Sequence, residues 1–372
     1  MLKINTREVI VFGAGKCGVS LVKLLMHYDY KVRACFDNDE KKAGVYLWNS
    51  VPVMTPKMID SDITVVICFY KSEIYQDIKK QCDALGYKYV VEISPEDLQI
   101  EINRLPDKEY LEIIWKERMG EYLDLDNPKS FNEKLQWLKL YDHNPLYHVL
   151  VDKYEVKKYI SETIGDKYVI PTLGVWNKIE EIDFTSLPNE FVLKCTHDSG
   201  SVEIINGKTD IDKERLKDKF DVLLKRDYYL LYREWSYKGL VPRIIAEKMI
   251  DVPENIRDYK FFVFNGVVKI IQVDIDRFSE HKRIIYSRNW EYLPVMLQYP
   301  TDKSLIEKKP EQLEEAVLLA EKLGSSIPQV RIDFYFVSGR IYFGEMTFYH
   351  GAGFEMVYPP EWNLKMGSWI KL

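Results

Sequence analysis

The apolar segments of this 372-residue chain change their spacing twice, near residues 105 and 168, and these changes limit the folds it can adopt more than any single motif. In the first hundred residues, the short apolar runs VIVF, KVRACF, TVVICFY and YVVEI alternate with helical stretches. Continuous apolar strands separated by helices indicate a parallel sheet that is covered on both faces. We therefore predict that residues 1–100 form a small doubly wound domain of the α/β class.

A second pattern begins beyond residue 105, where the chain is at first helical, charged and aromatic. After residue 168 it consists of short apolar runs separated by turn residues such as Asn206-Gly207 and Asn265-Gly266. Asn-Gly between apolar runs is the strongest short-range sign of a β-hairpin. We predict a helical connecting region over residues 101–165 and an α+β region of antiparallel hairpins over residues 166–372.

Charge and composition argue against several classes of function. The chain has 52 Lys and Arg against 58 Asp and Glu, a formal net charge of −6, so no overall basic field attracts nucleic acid or anionic lipid. Its five cysteines include no CxxC pair, which favours reduced thiols over a disulfide framework or a zinc site. No segment resembles a signal peptide or a membrane span of about 18 apolar residues. We expect a soluble cytoplasmic protein without a nucleic-acid partner.

A glycine motif follows the first predicted strand. Gly13, Gly15 and Gly18 form GxGxxG ahead of a helical stretch, and Asp37 ends the second strand 19 residues after Gly18. This spacing is typical of a dinucleotide site, where bare backbone and a helix N-terminus receive the phosphates. We predict nucleotide or nucleotide-sugar binding here, with a tight turn that binds no ligand as the alternative. Because only one mononucleotide-binding half follows, redox use of NAD is disfavoured.

Charged residues alternate along the last predicted hairpin, whose turn is at Ser338-Gly339. Arg331 and Asp333 share one face of the first strand, and Glu345 and Thr347 share one face of the second. Two facing carboxylates repel each other unless a cation lies between them. Oxygen ligands of this kind suit Mg²⁺ held jointly with the phosphates of a nucleotide. The alternative is a solvated hairpin face with an incidental ion pair.

Two further strands end in residues suited to a nucleotide. FVLKCTHDSGSV places Lys194 at the end of an apolar strand and before a small, glycine-containing loop that can cover phosphates. RIIAEKMI places Glu247 near the end of another strand, where backbone groups are available to an adenine edge. The alternative for this second segment is an ordinary edge strand.

A basic cluster follows the predicted strand Val267–Val273. It consists of Arg277, Lys282 and Arg283 in the segment DIDRFSEHKRIIY. We predict that these residues hold an anionic substrate such as a uronate, and a solvated basic loop is the alternative.

Five segments in the C-terminal two thirds carry a closer likeness, namely PKSFNEKLQWLKLYDHNPLY, LVDKYEVKKYI, FVLKCTHDSGS, YREWSYKGLVPRIIAEKMI and DYKFFVFNG. Their wording and order resemble the TupA-like ATP-grasp family of surface-polysaccharide gene clusters. The resemblance covers about Lys129 to the C-terminus. Residues 1–100 instead resemble the Rossmann-like sugar- or nucleotide-binding domains attached to glycan-modifying enzymes.

The resemblance implies an ATP-grasp fold, in which two α+β lobes hold ATP with Mg²⁺ and a carboxylate is activated as an acylphosphate. Many superfamily members have Asn where this chain has Thr347, so the number of metal ions stays open. Carried over position by position, the resemblance places phosphate contacts at Lys153 and Lys194, a covering loop at Ser199, Gly200 and Ser201, adenine contacts at Glu247, Lys248, Met249 and Ile250, catalytic roles at Arg331, Lys194 and Lys260, and metal ligands at Asp333, Glu345 and Thr347.

The activity implied by the resemblance is an ATP-dependent carboxylate-amine ligase. Its expected partners are an amino acid or amine and a sugar acid, which can be nucleotide- or lipid-linked. A kinase on the same fold, which stops at phosphate transfer, is the first alternative. A non-catalytic nucleotide-binding scaffold of a glycan assembly complex is the second.

Overall fold

The chain folds into two compact units, Met1–Leu123 (unit 1) and Asp124–Leu372 (unit 2), and each has its own apolar core. The computed structural model describes residues 4, 6–69, 72–207, 211–250, 257–275, 282–301 and 303–372.

Unit 1 alternates strands with helices as predicted from its apolar runs. Its strands are β1 (Glu8–Phe12), β2 (Lys31–Phe36), β3 (Tyr46–Leu47), β4 (Val51–Met54), β5 (Thr64–Ile67) and β6 (Tyr89–Glu92), and its helices are α1 (Lys16–His27), α2 (Ser72–Leu85), α3 (Pro95–Asn103) and α4 (Asp107–Met119).

The sheet of unit 1 has the order β3-β4-β2-β1-β5-β6. Strands β4, β2, β1, β5 and β6 pair in parallel, so the predicted parallel α/β sheet is confirmed. The central strands β1 and β5 are buried throughout apart from the first residue of β1, because helices cover the sheet on both faces. The antiparallel hairpin β3–β4 was not predicted, since its strands are only two and four residues long and contain Pro52.

Unit 2 contains two larger sheets and a two-stranded one. Its strands are β7 (Thr172–Trp176), β8 (Phe191–Cys195), β9 (Val202–Ile205), β10 (Ile244–Lys248), β11 (Arg257–Phe264), β12 (Val267–Ile275), β13 (Lys282–Ser287), β14 (Tyr292–Leu293), β15 (Met296–Leu297), β16 (Gln329–Val337), β17 (Arg340–Thr347) and β18 (Val357–Tyr358), and its helices are α5 (Phe131–Tyr141), α6 (Leu146–Val151), α7 (Glu155–Thr163), α8 (Lys213–Leu224), α9 (Tyr229–Tyr232), α10 (Leu313–Leu323) and α11 (Pro360–Trp369).

Both larger sheets of unit 2 are antiparallel, with the orders β7-β10-β8-β9 and β14-β13-β12-β11-β16-β17. The hairpin predicted at Asn265-Gly266 joins β11 to β12, and both turn residues have the positive φ that this turn requires. The hairpin at Ser338-Gly339 joins β16 to β17 in the same way. The hairpin predicted at Asn206-Gly207 is wrong for the residues that the structure describes, because the next element after β9 among them is the helix α8.

The six-stranded sheet of unit 2 has an apolar face and a charged face. Phe261, Val263 and Ile332 point to the apolar face, where they join the core that includes helix α10. Full burial of each such side chain contributes about 1.5–3 kcal/mol. Charged residues alternate with them along the same strands and come together on the opposite face, which therefore positions the candidate site.

The described helices contain no apolar stretch of the length that a bilayer requires. All five cysteines are free thiols, and four of them are buried.

Candidate functional site

The four hairpin residues predicted to converge lie on one face of β16 and β17. In the register of this pair, Asp333 is opposite Glu345 and Arg331 is opposite Thr347. Directly opposed residues of antiparallel strands point to the same face. The strand alternation read from the sequence therefore corresponds to a real cluster of charged groups.

Arg331 binds both carboxylates of this cluster. Its Nε and Nη2 atoms donate to the two oxygens of Asp333, each at 2.7 Å, and Nη2 also donates to Glu345 Oε1 at 2.7 Å. Lys260, opposite Asp333 on β11, donates to Asp333 Oδ2 at 2.8 Å and to Asp258. Burial alone would raise the pKa of Asp333, but Arg331 and Lys260 hold it below its ordinary value. Asp333 is thus a fully ionised and rigidly held carboxylate.

The carboxylate and hydroxyl oxygens on this face are of the kind that Mg²⁺ prefers. Both oxygens of Asp333 already accept from Arg331 or Lys260, so a metal ion at Asp333 would have to share these contacts. The hydroxyl of Thr347 lies 3.1 Å from Glu345 Oε1. The Glu345 side chain is 39% exposed, so its second oxygen can accept another ligand. Within the described part of the chain, no group of three or more His, Cys, Asp or Glu surrounds one point. Mg²⁺ commonly takes only one or two protein carboxylates and completes its shell with phosphate oxygens and water.

A second charged cluster joins β8, β10 and helix α7. Glu247 is 5% exposed and lies 2.7 Å from Lys194 Nζ and 2.6 Å from Lys157 Nζ. Burial would raise the pKa of Glu247, yet the two ammonium groups lower it to about 2. Burial and the nearby Lys194 lower the pKa of Lys157 despite its attraction to Glu247. Two cations against one anion leave this cluster with a net charge of +1, which suits an anionic ligand.

The loop between β8 and β9 is tied to this region. Lys153 donates to the backbone carbonyl of Asp198, and its Nζ lies 3.8 Å from Asp198 Oδ1. Ser201 donates to the Asp198 carboxylate and accepts the backbone N–H of Cys195 at 2.9 Å. Gly200 has a φ of +89°, a conformation that glycine adopts without strain. The loop is thus closed on itself, while Ser199 interacts with the hydroxyl of Tyr228.

The predicted adenine contacts lie at the end of β10. The backbone N–H of Lys248 donates to the carbonyl of Pro171 at 2.9 Å, so that donor is already used. Met249 and Ile250 follow the strand, and residues 251–256, which come next in the chain, lie outside the described residues.

Of the three residues predicted to hold the substrate, the structure describes only Lys282 and Arg283. Arg277 lies outside the described residues, and Lys282 is half-buried at the start of β13. Arg283 is 5% exposed, so it is not part of a solvated loop. It donates to Asp274 Oδ1 at 2.8 Å and to Glu355 Oε2 at 3.0 Å.

His350 connects this buried arginine to the hairpin cluster. Its Nδ1 accepts from Arg331 at 2.8 Å, and its Nε2 lies 2.9 Å from Glu355 Oε2. Burial lowers the pKa of His350 even though Glu355 opposes the shift, so the ring is neutral with Nδ1 as acceptor. The chain of contacts from Arg283 through Glu355 and His350 to Arg331 fixes the orientation of the Arg331 guanidinium.

Comparison with known proteins identifies the family of the chain. Residues 133–371 match the family model described as TupA-like ATPgrasp. The chain belongs to the TupA-like ATP-grasp family. It is therefore an ATP-grasp enzyme, and the predicted family, ATP dependence and fold class are confirmed. No curated protein matches the chain significantly.

Solved structures that are similar to the chain are distant from it in sequence. The ATP-grasp ligase PsnB complexed with its minimal precursor is 11% identical, with 92% of this chain and 90% of that chain covered and a TM-score of 0.33. D-alanine–D-alanine ligase from Bacillus anthracis complexed with ATP is 12% identical, with coverages of 91% and 84% and a TM-score of 0.31. The biotin carboxylase domain of Hydrogenobacter thermophilus 2-oxoglutarate carboxylase, complexed with MgADP, is 14% identical, with coverages of 98% and 70% and a TM-score of 0.38.

Sequence reasoning missed several charged residues of this ATP-grasp unit. Lys157 follows Lys153 by four residues at the start of a helix, and this helical spacing is a signal that would have found it. Glu355 and Glu234 lie in irregular segments without any periodic signal. Both are recognisable only from the groups around them.

The glycine motif forms the turn between β1 and α1 of unit 1. Gly13 has a φ of +105°, and a Cβ at Gly18 would lie 1.6 Å from the carbonyl oxygen of Gly13, so both glycines are required by the turn itself. A Cβ at Gly15 would contact nothing within 4 Å. Only Gly15 is therefore unexplained by packing, and a ligand that approaches the backbone there would explain it.

Asp37 stabilises the glycine turn by accepting hydrogen bonds. Its carboxylate accepts the backbone N–H of Ala14 at 2.7 Å and that of Asp39 at 2.9 Å, and it lies 3.0 Å from Lys42 Nζ. Burial raises the pKa of Asp37, but these donors together lower it. Asp37 thus stabilises the turn that carries the predicted nucleotide motif.

Proposed function

We propose that this protein is an ATP-dependent ligase that joins an amino acid or amine to a uronic sugar during surface polysaccharide biosynthesis in the cytoplasm. The observation that carries the proposal is the charged face of β16 and β17. There Arg331 lies 2.7 Å from both Asp333 and Glu345, beside Lys260. Phosphoryl transfer needs positioning and charge neutralisation more than covalent chemistry from the protein, and these groups supply both.

Each proposed residue has one role in the reaction. Asp333 and Glu345 hold Mg²⁺, with Thr347 beside them, and the ion neutralises the phosphate charge when bound. Lys153 and Lys194 contact the phosphates, and the loop of Ser199, Gly200 and Ser201 covers them. This division is supported by the net positive charge of the cluster around Lys194.

The remaining contacts are to adenine and the transferred phosphoryl group. Glu247 with Lys248, Met249 and Ile250 lies along adenine, and Arg331 contacts the transferred group.

The proposed reaction has two steps. A substrate carboxylate oxygen attacks the terminal phosphorus of ATP, and ADP leaves with the electron pair of the broken bond. The amine then attacks the acyl carbon, loses a proton, and expels inorganic phosphate, so the protein mainly orients the amine and excludes water. The sugar acid is proposed to be nucleotide- or lipid-linked, with Gly13, Gly15, Gly18 and Asp37 of unit 1 as the site for a nucleotide portion.

An ADP-release screen tests the proposal. Full-length protein with Mg²⁺ and ATP is offered amino acids and amines in combination with uronic acids and their nucleotide-linked forms. We expect ADP release that requires both substrates, and Glu345→Gln should reduce it about 10²-fold or more because one developing-charge contact is lost. The matched control is Glu162→Gln on α7, whose side chain is 65% exposed. ADP release that needs no amine and yields a phosphorylated product would establish the kinase instead.

A further inference from the structure

One face of helix α5 carries a buried polar stripe to which the proposed reaction assigns no role. The stripe consists of Asn132, Gln136 and Lys139, which follow one another at spacings of four and three residues and so share one face of the helix. None of the three is more than 1% exposed. Burial of polar groups costs free energy unless they form hydrogen bonds, and apolar side chains would fill the same space without that cost. Packing alone therefore does not account for the stripe.

All three side chains of the stripe donate to the backbone of residues 350–355, which we call turn 350–355. The donors and the carbonyls that accept from them are Asn132 Nδ2 with Glu355 (2.8 Å), Gln136 Nε2 with Ala352 (3.1 Å) and Gly353 (3.0 Å), and Lys139 Nζ with Ala352 (2.8 Å). Lys139 Nζ also donates to Gln136 Oε1 and to the carbonyl of Tyr232, each at 2.9 Å. Four hydrogen bonds from one helix thus hold a turn that is at least 213 positions away in the chain.

The backbone of this turn is left-handed over three successive residues. Gly351, Ala352 and Gly353 have φ of +55°, +53° and +68°. Alanine is strained in this region, and strained backbone persists where the surrounding contacts determine it. A Cβ at Gly353 would lie 2.4 Å from Nε2 of Gln136, so glycine is what allows α5 to approach so closely. The contacts from α5 therefore set the conformation of the turn.

The turn carries the groups that orient the guanidinium of Arg331. Its first residue, His350, accepts from Nη1 of Arg331 at 2.8 Å, and its last residue, Glu355, has a carboxylate oxygen 2.9 Å from Nε2 of His350. Of the five guanidinium N–H groups, three donate to Asp333 and Glu345 and one donates to His350. Among the described residues, nothing accepts the second N–H of Nη1. The contact to His350 therefore determines where this remaining N–H points.

We propose that the polar stripe of α5 positions Arg331 for phosphoryl transfer, and that it acts through turn 350–355. The inference rests on the proposed function, in which Arg331 contacts the transferred phosphoryl group. The remaining N–H of Nη1 stabilises the developing charge only when it is aimed at that group, and a donor held in place beforehand needs no reorganisation during the reaction. The stripe should therefore affect kcat and leave ATP binding unchanged, because the hydrogen bonds above do not involve the residues proposed to bind ATP.

The test is a double-mutant cycle on kcat in the full-length protein. The probes are Mg²⁺-ATP together with the uronic acid and the amino acid that give the fastest ADP release in the screen. Lys139→Met removes the ammonium group of the stripe, His350→Leu removes the acceptor of Arg331, and a third protein carries both changes. We expect each single variant to lower kcat about tenfold and the double variant to lower it no further, because both changes remove the same constraint. KM for ATP should change less than about twofold in all three variants.

A second replacement at His350 separates orientation from stability. Oδ1 of asparagine is bonded to Cγ, as Nδ1 of histidine is, so His350→Asn keeps an acceptor for Arg331 and should recover most of the kcat that His350→Leu loses. The control is Val317→Ala in the buried core on α10, which should lower the melting temperature and leave kcat unchanged. If Lys139→Met does not fold, Asn132→Ala takes its place in the cycle, since it deletes the hydrogen bond to the carbonyl of Glu355.

Three outcomes would overturn the inference and leave the ligase function standing. The first is a kcat like that of the parent in both single variants. The second is a pair of losses that multiply in the double variant, because the stripe would then act by a route other than His350. The third is His350→Asn with no more activity than His350→Leu. If the parent released no ADP with any combination of substrates, the proposed function would fail, and the inference with it.

Discussion

Glu247 and Glu234 of unit 2 are equally buried, but they differ in their charged partners and in their pKa. Glu247 is 5% exposed and Glu234 is 6% exposed. Glu247 lies within 2.7 Å of two lysines, and its pKa falls to about 2, whereas Glu234 has no such contact among the described residues and its pKa rises to about 7. Burial imposes a similar cost on both carboxylates, and the partners decide whether the charged form is retained. The comparison shows that two neighbouring lysines keep Glu247 ionised, whereas burial favours the protonated form of Glu234.

The largest change in the free energy of unfolding is expected when Glu247 loses both of its lysine partners and so resembles Glu234. In the double variant Lys157→Met with Lys194→Met, we expect the free energy of unfolding to fall by about 3–5 kcal/mol at pH 7, because a buried carboxylate loses both partners. Adding Glu247→Gln should recover a large part of this loss. Urea denaturation of the three proteins measures the differences. A double variant as stable as the parent would show that the lysines do not compensate Glu247.

The single substitution Glu247→Gln should lower the free energy of unfolding by an intermediate amount that depends on pH. Its pKa of about 2 in the fold lies below the ordinary value of 4.5, so the ionised carboxylate stabilises the protein above pH 4.5. This contribution is lost as the pH falls from 4.5 to 2. We expect Glu247→Gln to cost about 3 kcal/mol at pH 7, because a pKa lowered from 4.5 to about 2 corresponds to a free energy of that size, and to cost almost nothing near pH 2. Urea denaturation at several pH values checks the slope, and a cost that is independent of pH would contradict the assignment.

The sequence predicted those parts of the site that follow from local patterns. The apolar strand predicted in FVLKCTHDSGSV corresponds to β8 (Phe191–Cys195), because apolar runs of this length mark strands. The alternation of Arg331 with Asp333, and of Glu345 with Thr347, placed four groups on one face once Ser338-Gly339 set the hairpin. Local turn chemistry and a period of two were sufficient for that cluster.

The parts that the sequence did not predict depend on contacts between distant residues. Lys157 meets Glu247 across 90 positions, and Arg283 meets Glu355 across 72. Contacts over such separations produce no periodic pattern in the sequence. Arg283 was therefore predicted as a substrate contact, although the fold buries it between two carboxylates. The wrong hairpin at Asn206-Gly207 has the same origin, because turn residues define a hairpin only where a second strand follows.

The smallest effect expected is that of Glu234→Gln on stability, and it has the opposite sign to that of Glu247→Gln. Below pH 4.5 the carboxyl is protonated both in the fold and in the unfolded chain, so the substitution should be nearly neutral. Between pH 4.5 and 7 the unfolded chain ionises while the fold keeps Glu234 protonated, and the parent loses stability that the variant retains. We expect the variant to be more stable by about 2–3 kcal/mol at pH 7, because protonation limits the cost that burial of the charge would impose.

Thermal melting of parent and Glu234→Gln at pH 4.5 and pH 8 measures this difference, with Glu162→Gln as the exposed control. A variant less stable than the parent at pH 8 would mean that Glu234 has partners in solution. The contrast between the two glutamates would then disappear.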